Sequence, residues 1–569
     1  MVSKKFMKPL VLSALILISI EFLNAQDFSW AIQVGGEGND AGSSIAIDDF
    51  NNIYTVGTFS ADSDFDPTID TLNLTSNGIS DIFILKQNTE GDILWVRQIG
   101  GEGQETVSKI KVDQEGNIYL TGTFEKTVDF NPNIGTYNLT SESIFEDGFL
   151  LKLSNMGEFI WAIEIDGENV QFATNLVIDN LNYPIIVGSF YGETDFDPTG
   201  SSYILTGTGA GFIAKYSPLG LLIWAKSYIG EGLCNVNSIE INSENEILTC
   251  GNFTHSIDFD PGVDNYELIA AGEFYDIFFT KLNANGEFIF ANKIGTIDIT
   301  ATQDVATGIA FDSDNYIYIT GYFYNTIDFD PTATEYLLTA EYYGDAFVSK
   351  YNNSGEFVWV KQITGAQHQK AMSIMVDNFN NLVVAGYFST TFESPSDSID
   401  LTSNGVEDVF FCQFSPEGEI IWLKSFGGNN GDFGYDIVSN DGINFYGTGK
   451  FYATVDFNPL GMPSLLESFG LHDAFVYKIG PINQIGIIND INVSLEIFPN
   501  PNNGEFTIKN YTQDMEGEII IYNSQGSRVY SKRLNRNNYT VKLDLAPGYY
   551  TIAFKDYKNY KFISHFIIL

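Results

Sequence analysis

Pairs of oxygen-bearing side chains, separated by one phenylalanine, recur along this chain of 569 residues. The stretch from His255 to Leu268 reads HSIDFDPGVDNYEL, and five near-copies occur elsewhere. Alternate side chains of an extended segment point to the same side, so both members of a pair could bind one cation. Ca²⁺ takes about 6–8 oxygen ligands in proteins. The candidate calcium ligands are Asp64, Asp66, Asp129, Asn131, Asp195, Asp197, Asp258, Asp260, Asp328, Asp330, Asp456 and Asn458.

A second interpretation of these pairs is structural, because carboxylates also cap turn amides and proline fixes a corner. The sixth copy, TFESPSDSIDL, lacks the pair but keeps Phe392 and Leu401. The phenylalanine occurs in all seven copies: Phe65, Phe130, Phe196, Phe259, Phe329, Phe392 and Phe457. Leucine follows nine residues after each of them, and such fixed offsets predict an ordered hairpin with a buried aromatic anchor. An EF-hand is excluded, since no glutamate stands at the twelfth position. Turn capping and calcium binding both stay open.

Other side chains that could do catalysis are sparse. The four histidines do not recur across the copies and lack metal-ligand spacing: His255, His368, His472 and His565. No nucleophile elbow, HExxH motif or phosphate-binding loop occurs. A pair of glycosidase carboxylates could be hidden among the 73 acidic residues. Cys234 and Cys250 could meet across a hairpin, whereas Cys412 is expected to be a small core residue.

A sequence repeat predicts the β-strands that position these residues. Tryptophan recurs every 63–69 residues at Trp30, Trp95, Trp161, Trp224, Trp359 and Trp422, with Phe290 in the missing place. Each copy contains four strand-like segments separated by turn residues. Seven four-stranded copies predict an all-β, seven-bladed β-propeller over residues 27–480. The last copy lacks its tryptophan strand and the chain begins with an orphan one, FSWAIQVG, so the N-terminal strand is expected to close the ring.

Charge and hydropathy separate the other segments. The net charge is −45, which argues against nucleic acid or an anionic membrane as a partner. Residues 1–25 have a basic start and a short apolar run, and they are interpreted as a signal peptide. No later segment is long and apolar enough to span a membrane, so no membrane insertion is expected. Residues 481–490 are interpreted as a linker, and residues 491–569 as a small Ig-like β-sandwich.

Two resemblances accompany these patterns. The copies resemble the bacterial β-propeller repeat called SBBP, and the strand pair NIYTVGTF is similar to NHL-type blades. The stretches IFPNPNNGEFTI, IIIYNSQGSRVYS and LDLAPGYYTIAF resemble, in this order, the type A C-terminal sorting domain of the type IX secretion system. The second resemblance implies the secretion machinery as a partner, passage through the outer membrane, removal of the tail, and release or surface attachment.

The sequence therefore predicts a secreted or cell-surface binding or adhesion protein, with calcium as its only candidate cofactor. Its ligand is expected to be a glycan or a protein, bound by an acidic loop face or by the central channel of the ring. The alternatives are a secreted polysaccharide-acting enzyme and a structural component of a surface layer.

Overall fold

The computed structural model of the protein describes residues 26–66, 72–197, 201–271, 274–296, 303–332, 334–340, 343–394 and 399–481, together with seven strands of the tail. All regular elements within these ranges are β-strands, so the predicted all-β class is confirmed. No helix in this described part is long and apolar enough to cross a membrane. The predicted signal peptide and residues 482–490 of the predicted linker lie outside the described residues. The chain divides into two compact parts, mainly between Gly480 and Pro481.

The first part contains seven repeats, numbered 1–7, each built on an antiparallel four-stranded sheet. The first strands are Ala41–Ile47, Glu105–Val112, Gln171–Ile178, Cys234–Ile241, Val305–Phe311, Gln369–Val376 and Phe433–Val438. The second strands are Ile53–Phe59, Ile118–Phe124, Pro184–Asp195, Ile247–Phe253, Ile317–Phe323, Leu382–Phe388 and Phe445–Asp456. The third strands are Asp81–Gln87, Asp147–Leu153, Ile204–Tyr216, Asp276–Leu282, Asp345–Tyr351, Asp408–Phe414 and Leu465–Pro481. The fourth strands are Ile93–Gly101, Phe159–Gly167, Leu222–Gly230, Phe288–Thr296, Phe357–Ile363, Ile420–Phe426 and, for repeat 7, the N-terminal Gln26–Gly36.

A small hairpin connects the second and third strands of each repeat. In repeats 3 and 7 the long second and third strands form it directly. In the others it has strands of its own: Asp62–Asp64 with Asn73–Thr75, Thr127–Asp129 with Asn138–Thr140, Ser256–Asp258 with Glu267–Ile269, Thr326–Asp328 with Leu337–Thr339, and Thr391–Ser394 with Ile399–Thr402. The hairpins of repeats 1–5 also pair with the fourth strand of the preceding repeat, as Asp129 does with Gly100. Each such hairpin therefore extends its neighbour's sheet.

The first strands of successive repeats contact one another, and the first strand of repeat 7 contacts that of repeat 1. Each first strand carries a β-bulge at the same place, which bends the strand locally. At some of these bulges, a threonine hydroxyl donates a hydrogen bond to a backbone carbonyl of the next repeat. Thr174 Oγ1 donates to the Val236 carbonyl at 2.5 Å, and Thr307 Oγ1 donates to the Ala371 carbonyl at 2.7 Å. The contacts between repeats are therefore polar at the bulges.

Apolar side chains fill the space between neighbouring sheets. Val56 and Ile84 of repeat 1 share one buried cluster with Ile110 and Leu120 of repeat 2. The recurring tryptophan reaches the next repeat too, since Trp161 Nε1 donates to the Pro218 carbonyl at 3.1 Å. Because the core lies between repeats, one repeat alone would leave both of its apolar faces exposed.

Two antiparallel sheets make up the described part of the tail. One contains Leu495–Phe498, Glu505–Asn510 and Asn538–Lys542. The other contains Arg528–Leu534, Gly517–Asn523, Gly548–Lys555 and Tyr560–Ile568. Ile519, Ile520 and Ile521 are buried in a central strand of the second sheet.

Candidate functional site

All features of the candidate site lie at one end of the repeats, which we call the hairpin end. There the first strand begins, the second ends and the third begins, as the register of Glu105, Phe124 and Asp147 shows. The loop before the first strand and the hairpin after the second therefore share this end, as strand order predicts.

The first carboxylate of each predicted calcium pair caps its own hairpin. In repeat 4, Asp258 Oδ1 accepts hydrogen bonds from the backbone nitrogens of Asp260 at 3.0 Å and Tyr266 at 2.8 Å. Asp260 Oδ1 accepts from the backbone nitrogen of Gly262 at 2.8 Å. The same two-amide cap recurs at Asp64, Asp129, Asp195, Asp328 and Asp456.

The second members of the pairs follow the cap within the same turn. Asn131 Oδ1 and Asp330 Oδ1 each accept from the backbone nitrogen two residues on, at 3.0 and 2.9 Å. No group of three or more His, Cys, Asp or Glu side chains in the described ranges is arranged to hold a metal ion. The hairpin geometry supports the turn-capping interpretation, and the calcium site stays a prediction.

The phenylalanine of each hairpin is fully buried and packs between two other phenylalanines. Phe259 lies 5.3 Å from Phe253, which ends the second strand, and 4.5 Å from Phe278 in the third, measured between ring centroids. Repeat 6 has the same trio without the aspartate pair, with Phe392 at 5.7 Å from Phe388 and 5.2 Å from Phe410. The aromatic anchor is therefore independent of the carboxylates.

Sequence analysis missed a set of buried carboxyl groups that meet between neighbouring repeats. Each pair combines an aspartate of a third strand with the acid at the start of the next first strand. The four pairs are Asp81 with Glu105, Asp276 with Asp304, Asp408 with Asp432, and Asp473 with Asp40, and all eight side chains are buried. The proximity at the last pair is seen at Gly35, where a Cβ would lie 2.7 Å from Asp473 Oδ1 and 2.9 Å from Asp40 Oδ2.

Burial raises the pKa of one acid in each pair, and the charge of the other acid adds to the effect. The pKa rises to about 7 for Glu105, Asp432 and Asp473, and to about 8 for Asp304. In every pair one group has an oxygen without a hydrogen-bond partner: Glu105 Oε1, Asp304 Oδ2, Asp408 Oδ1 and Asp473 Oδ1. Such a group is suited to carry a proton at neutral pH.

Other repeats replace one member of the pair. Gln171 takes the position of the first-strand acid at the junction that contains Asp147, and Gln369 takes it at the junction that contains Asp345. Between repeats 3 and 4, both acids are absent and Ala210 and Cys234 stand in their places. Loss of the two acids at the same junction is the sequence signal that could have revealed the pairing.

A strongly acidic cleft of about 490 Å³ lies at the hairpin end of repeats 2 and 3. It is lined by Glu142, Ser143, Asp166, Gly167, Glu168, Glu193, Thr194, Asp195 and Ile204. Beside it, burial and the charges of Asp147, Asp166 and Glu142 raise the pKa of Glu164 to about 8. This cleft includes one predicted calcium ligand, Asp195, whose Oδ1 already caps its hairpin.

One fully buried carboxylate joins four repeats through their first strands. Asp436 of repeat 7 accepts from Ser44 Oγ at 2.6 Å, Ser373 Oγ at 2.7 Å and Lys109 Nζ at 2.7 Å. These donors come from repeats 1, 6 and 2. The ion pair with Lys109 lowers the pKa of Asp436 despite its burial, so this carboxylate stays charged and fixes the repeats to one another.

Repeats 5–7 break the regularity of the hairpin end with five side chains that we call the aromatic–basic band: Tyr322, Lys370, Tyr387, Phe433 and Lys450. All five are partly exposed. Lys370 Nζ lies 4.4 Å from the Tyr322 ring centroid, Tyr387 lies 4.8 Å from Phe433, and Lys450 Nζ lies 5.0 Å from Phe433. Three members of the band, Tyr322, Tyr387 and Lys450, lie in second strands. The equivalent positions of repeats 1–4 hold Thr58, Thr123, Ser189 and Asn252.

Further aromatic side chains surround the band. Tyr324, Tyr435, Tyr452 and His472 contact its members or one another. Burial lowers the pKa of Lys370 and of Lys450, and burial together with Lys450 lowers that of His472. In the described ranges neither lysine of the band takes part in an ion pair.

The remaining candidates have structural roles. His255 is exposed and adopts a left-handed φ of 54°, as Lys126 and Asn325 do at the same position of other repeats. The disulfide considered for Cys234 and Cys250 is absent, since both thiols are free and buried. They cannot pair because Cys234 lies opposite Phe253 and Cys250 opposite Ser238. Cys412 is buried in the core, as expected.

Two family models match parts of the chain. Residues 29–62 and 94–123 match the beta-propeller repeat SBBP, and residues 496–569 match the secretion system C-terminal sorting domain. These stretches therefore carry an SBBP-type β-propeller repeat and a C-terminal type IX sorting domain, and both resemblances are confirmed. The sorting domain indicates export to the cell surface or the extracellular space through the type IX machinery.

Sequence identity to individual known proteins is low. An uncharacterized WD repeat-containing protein of Acanthamoeba polyphaga mimivirus is 25% identical over 508 aligned residues, which cover 74% of this chain but only 36% of that protein. A fungal alcohol oxidase solved in complex with copper has 11% identity and a TM-score of 0.37, covering 96% of this chain and 100% of its own. A protein of unknown function from Dyadobacter fermentans has 9% identity and a TM-score of 0.37, covering 80% and 99%. These scores carry no argument about function.

Proposed function

We propose that this chain is a binding or adhesion protein, exported by type IX secretion, which binds a glycan or a protein ligand at its hairpin end. The observation that carries the proposal is the aromatic–basic band. The seven phenylalanine trios keep the repeat pattern, whereas second-strand positions that hold small polar residues in repeats 1–4 hold Tyr322, Tyr387 and Lys450 in repeats 5–7. Partly exposed rings beside polar donors are typical of ligand-binding surfaces.

The proposed scaffold is a closed seven-bladed β-propeller followed by an Ig-like β-sandwich. Its closure is supported by the cyclic order of contacts between first strands, and by the pairing of Gln26–Gly36 with Leu465–Pro481. Closure would leave no exposed sheet edge at either end of the repeat series. The two antiparallel sheets of the tail support a sandwich.

For the hairpin aspartates we propose turn capping as the main role. Each first carboxylate already holds two amides with one oxygen, which leaves one oxygen for any cation. Calcium, at about 6–8 ligands, would need most of its oxygens from elsewhere.

A polysaccharide-acting enzyme is the second candidate, and the acidic cleft of repeats 2 and 3 favours it. Glu164, with a pKa raised to about 8, could donate a proton while a neighbouring carboxylate stays charged. The repeats and the sorting domain suggest a non-catalytic surface protein instead.

A single experiment separates these functions. The mature protein is passed over immobilised polysaccharides and surface proteins, and both retention and soluble sugar products are measured. Saturable retention without products supports a binding protein. Release of products that stops in Glu164→Gln supports the enzyme, and absence of both retention and products contradicts both proposals.

A further inference from the structure

The aromatic–basic band combines two kinds of contact that one ligand class would use together. Rings of tyrosine and phenylalanine offer flat apolar surface, on which the C–H faces of sugar rings can pack. The two ammonium groups lie over ring faces, Lys370 Nζ at 4.4 Å from the Tyr322 centroid and Lys450 Nζ at 5.0 Å from the Phe433 centroid, so each lysine adds a positive charge directly beside an apolar ring.

The two lysines of the band differ from many other basic residues of the repeats in their charged partners. Among the residues that the structure describes, half of the 16 basic residues between 26 and 490 form ion pairs with acids, but these two do not. Burial is the only cause that lowers the pKa of Lys450, and its charge acts on His472 rather than on a carboxylate. At Lys370 the charge of Glu407 opposes the effect of burial, but the two side chains form no ion pair within the described ranges. An anionic group would therefore find two partly desolvated ammonium groups, and such charge-assisted contacts are strong.

The band is continuous across three repeats. Lys370 and Tyr387 are directly opposite on paired strands, and so are Phe433 and Lys450. Tyr322 contacts Lys370 across one junction, and Tyr387 contacts Phe433 across the next. The surface therefore presents, in order, a ring, an ammonium group, two rings and a second ammonium group, which matches a chain of sugar rings that carry anionic groups at intervals.

We propose that the band binds a short oligosaccharide that carries carboxylate or sulfate groups, an inference that rests on the binding function proposed above. The surrounding domain holds 65 acids against 16 basic residues, so it repels long polyanions such as nucleic acid. The site therefore takes a short anionic sugar segment whose charges stay close to the two lysines.

The test uses the mature protein and calorimetric titration with three trimers of the same linkage: galacturonic acid, sulfated galactose and neutral galactose. We expect saturable binding of at least one acidic trimer and at least about tenfold weaker binding of the neutral one. Lys450→Met should weaken acidic-trimer binding by about tenfold or more, and Lys450→Arg should retain it. Lys126→Met is the matched control, because Lys126 also lies at the hairpin end but outside the band, where it donates to the Glu102 carbonyl.

Each outcome has one meaning, provided the variants keep the thermal midpoint of the parent. Binding of an acidic trimer that fails in Lys450→Met but not in Lys126→Met supports the inference, and the active trimer tells carboxylate from sulfate. Equal binding of the neutral trimer overturns the anionic ligand but leaves a glycan-binding protein. Absence of binding by all three trimers overturns the inference, while retention of a protein in the panel above would keep the binding function.

Discussion

Replacing Asp473 with asparagine is expected to stabilise the protein progressively, relative to the parent, as the pH rises from 5 to 8. The Asp473 carboxyl is buried between repeats 7 and 1, with Oδ1 facing Asp40 and Oδ2 accepting from Gln33 Nε2 at 2.6 Å. Burial, and the charge of Asp40, raise its pKa from 3.8 to about 7. An amide at this position can keep the acceptor for Gln33 and donate to Asp40 without carrying charge.

The magnitude follows from proton linkage. Because the folded-state pKa is raised, the stabilisation is complete below about pH 4 and is lost as the pH rises through about 7. Each tenfold change in an equilibrium corresponds to about 1.4 kcal/mol, so the parent loses roughly 2–3 kcal/mol through this carboxyl between pH 5 and pH 8. The variant lacks this carboxyl and should therefore not lose this part of its unfolding free energy. The difference in unfolding free energy between variant and parent should therefore grow by that amount.

The assay is urea unfolding of the mature protein at pH 5 and pH 8, followed by tryptophan fluorescence. Taking the difference between the two proteins cancels the titration of acids that do not interact with Asp473. Asp49→Asn, at an exposed position, is the control and should show no pH-dependent difference. A difference for Asp473→Asn that is the same at both pH values would refute a proton held between Asp473 and Asp40.

Four further changes test other parts of the structure. Phe259→Ala should destabilise the protein by about 3–5 kcal/mol in urea unfolding, because a fully buried ring leaves a cavity. Asp258→Ala removes two amide caps and should cost about 1–2 kcal/mol, while EDTA should leave the thermal midpoint of the parent unchanged. Lys109→Met leaves the buried Asp436 without its ion pair and should cost about 3–5 kcal/mol. Deletion of Gln26–Gly36 should lower the midpoint of the whole repeat domain, measured by calorimetry, rather than create a separate transition.

Each of these predictions has a contradicting result. A midpoint that rises specifically with calcium, and no longer does so in Asp258→Ala, would make the hairpins metal sites. A cost below about 1 kcal/mol for Phe259→Ala would mean that the trio does not hold the hairpin. Wild-type stability of Lys109→Met would show that Asp436 is neutral or solvated. A deletion variant with an unchanged midpoint would contradict closure by the N-terminal strand.

Local patterns in the sequence predicted the strands and the hairpins well, for physical reasons that lie within each repeat. The phenylalanine at a constant offset had to be buried, and Phe392 showed that the anchor survives without aspartates. The carboxyl pairs and the band could not be found in this way, because their members are 17 or more residues apart and belong to neighbouring strands or repeats. Asp473 and Asp40 are distant in the chain and meet only at the junction of repeats 7 and 1. The cysteine pair failed for a similar reason, since membership in one repeat does not place two residues opposite each other.

The position of Leu465–Pro481 has a mechanical consequence. This strand is the last strand of the repeats, and it lies between Phe445–Asp456 on one side and Gln26–Gly36 on the other. A pull on the C-terminal end therefore acts along a strand with a hydrogen-bonded neighbour on each side, so the bonds of both ladders are loaded in shear at once. An edge strand would be peeled away one bond at a time. In a protein held at a cell surface by this end, the N-terminal strand Gln26–Gly36 would help to secure the last strand of the repeats against the force of flow.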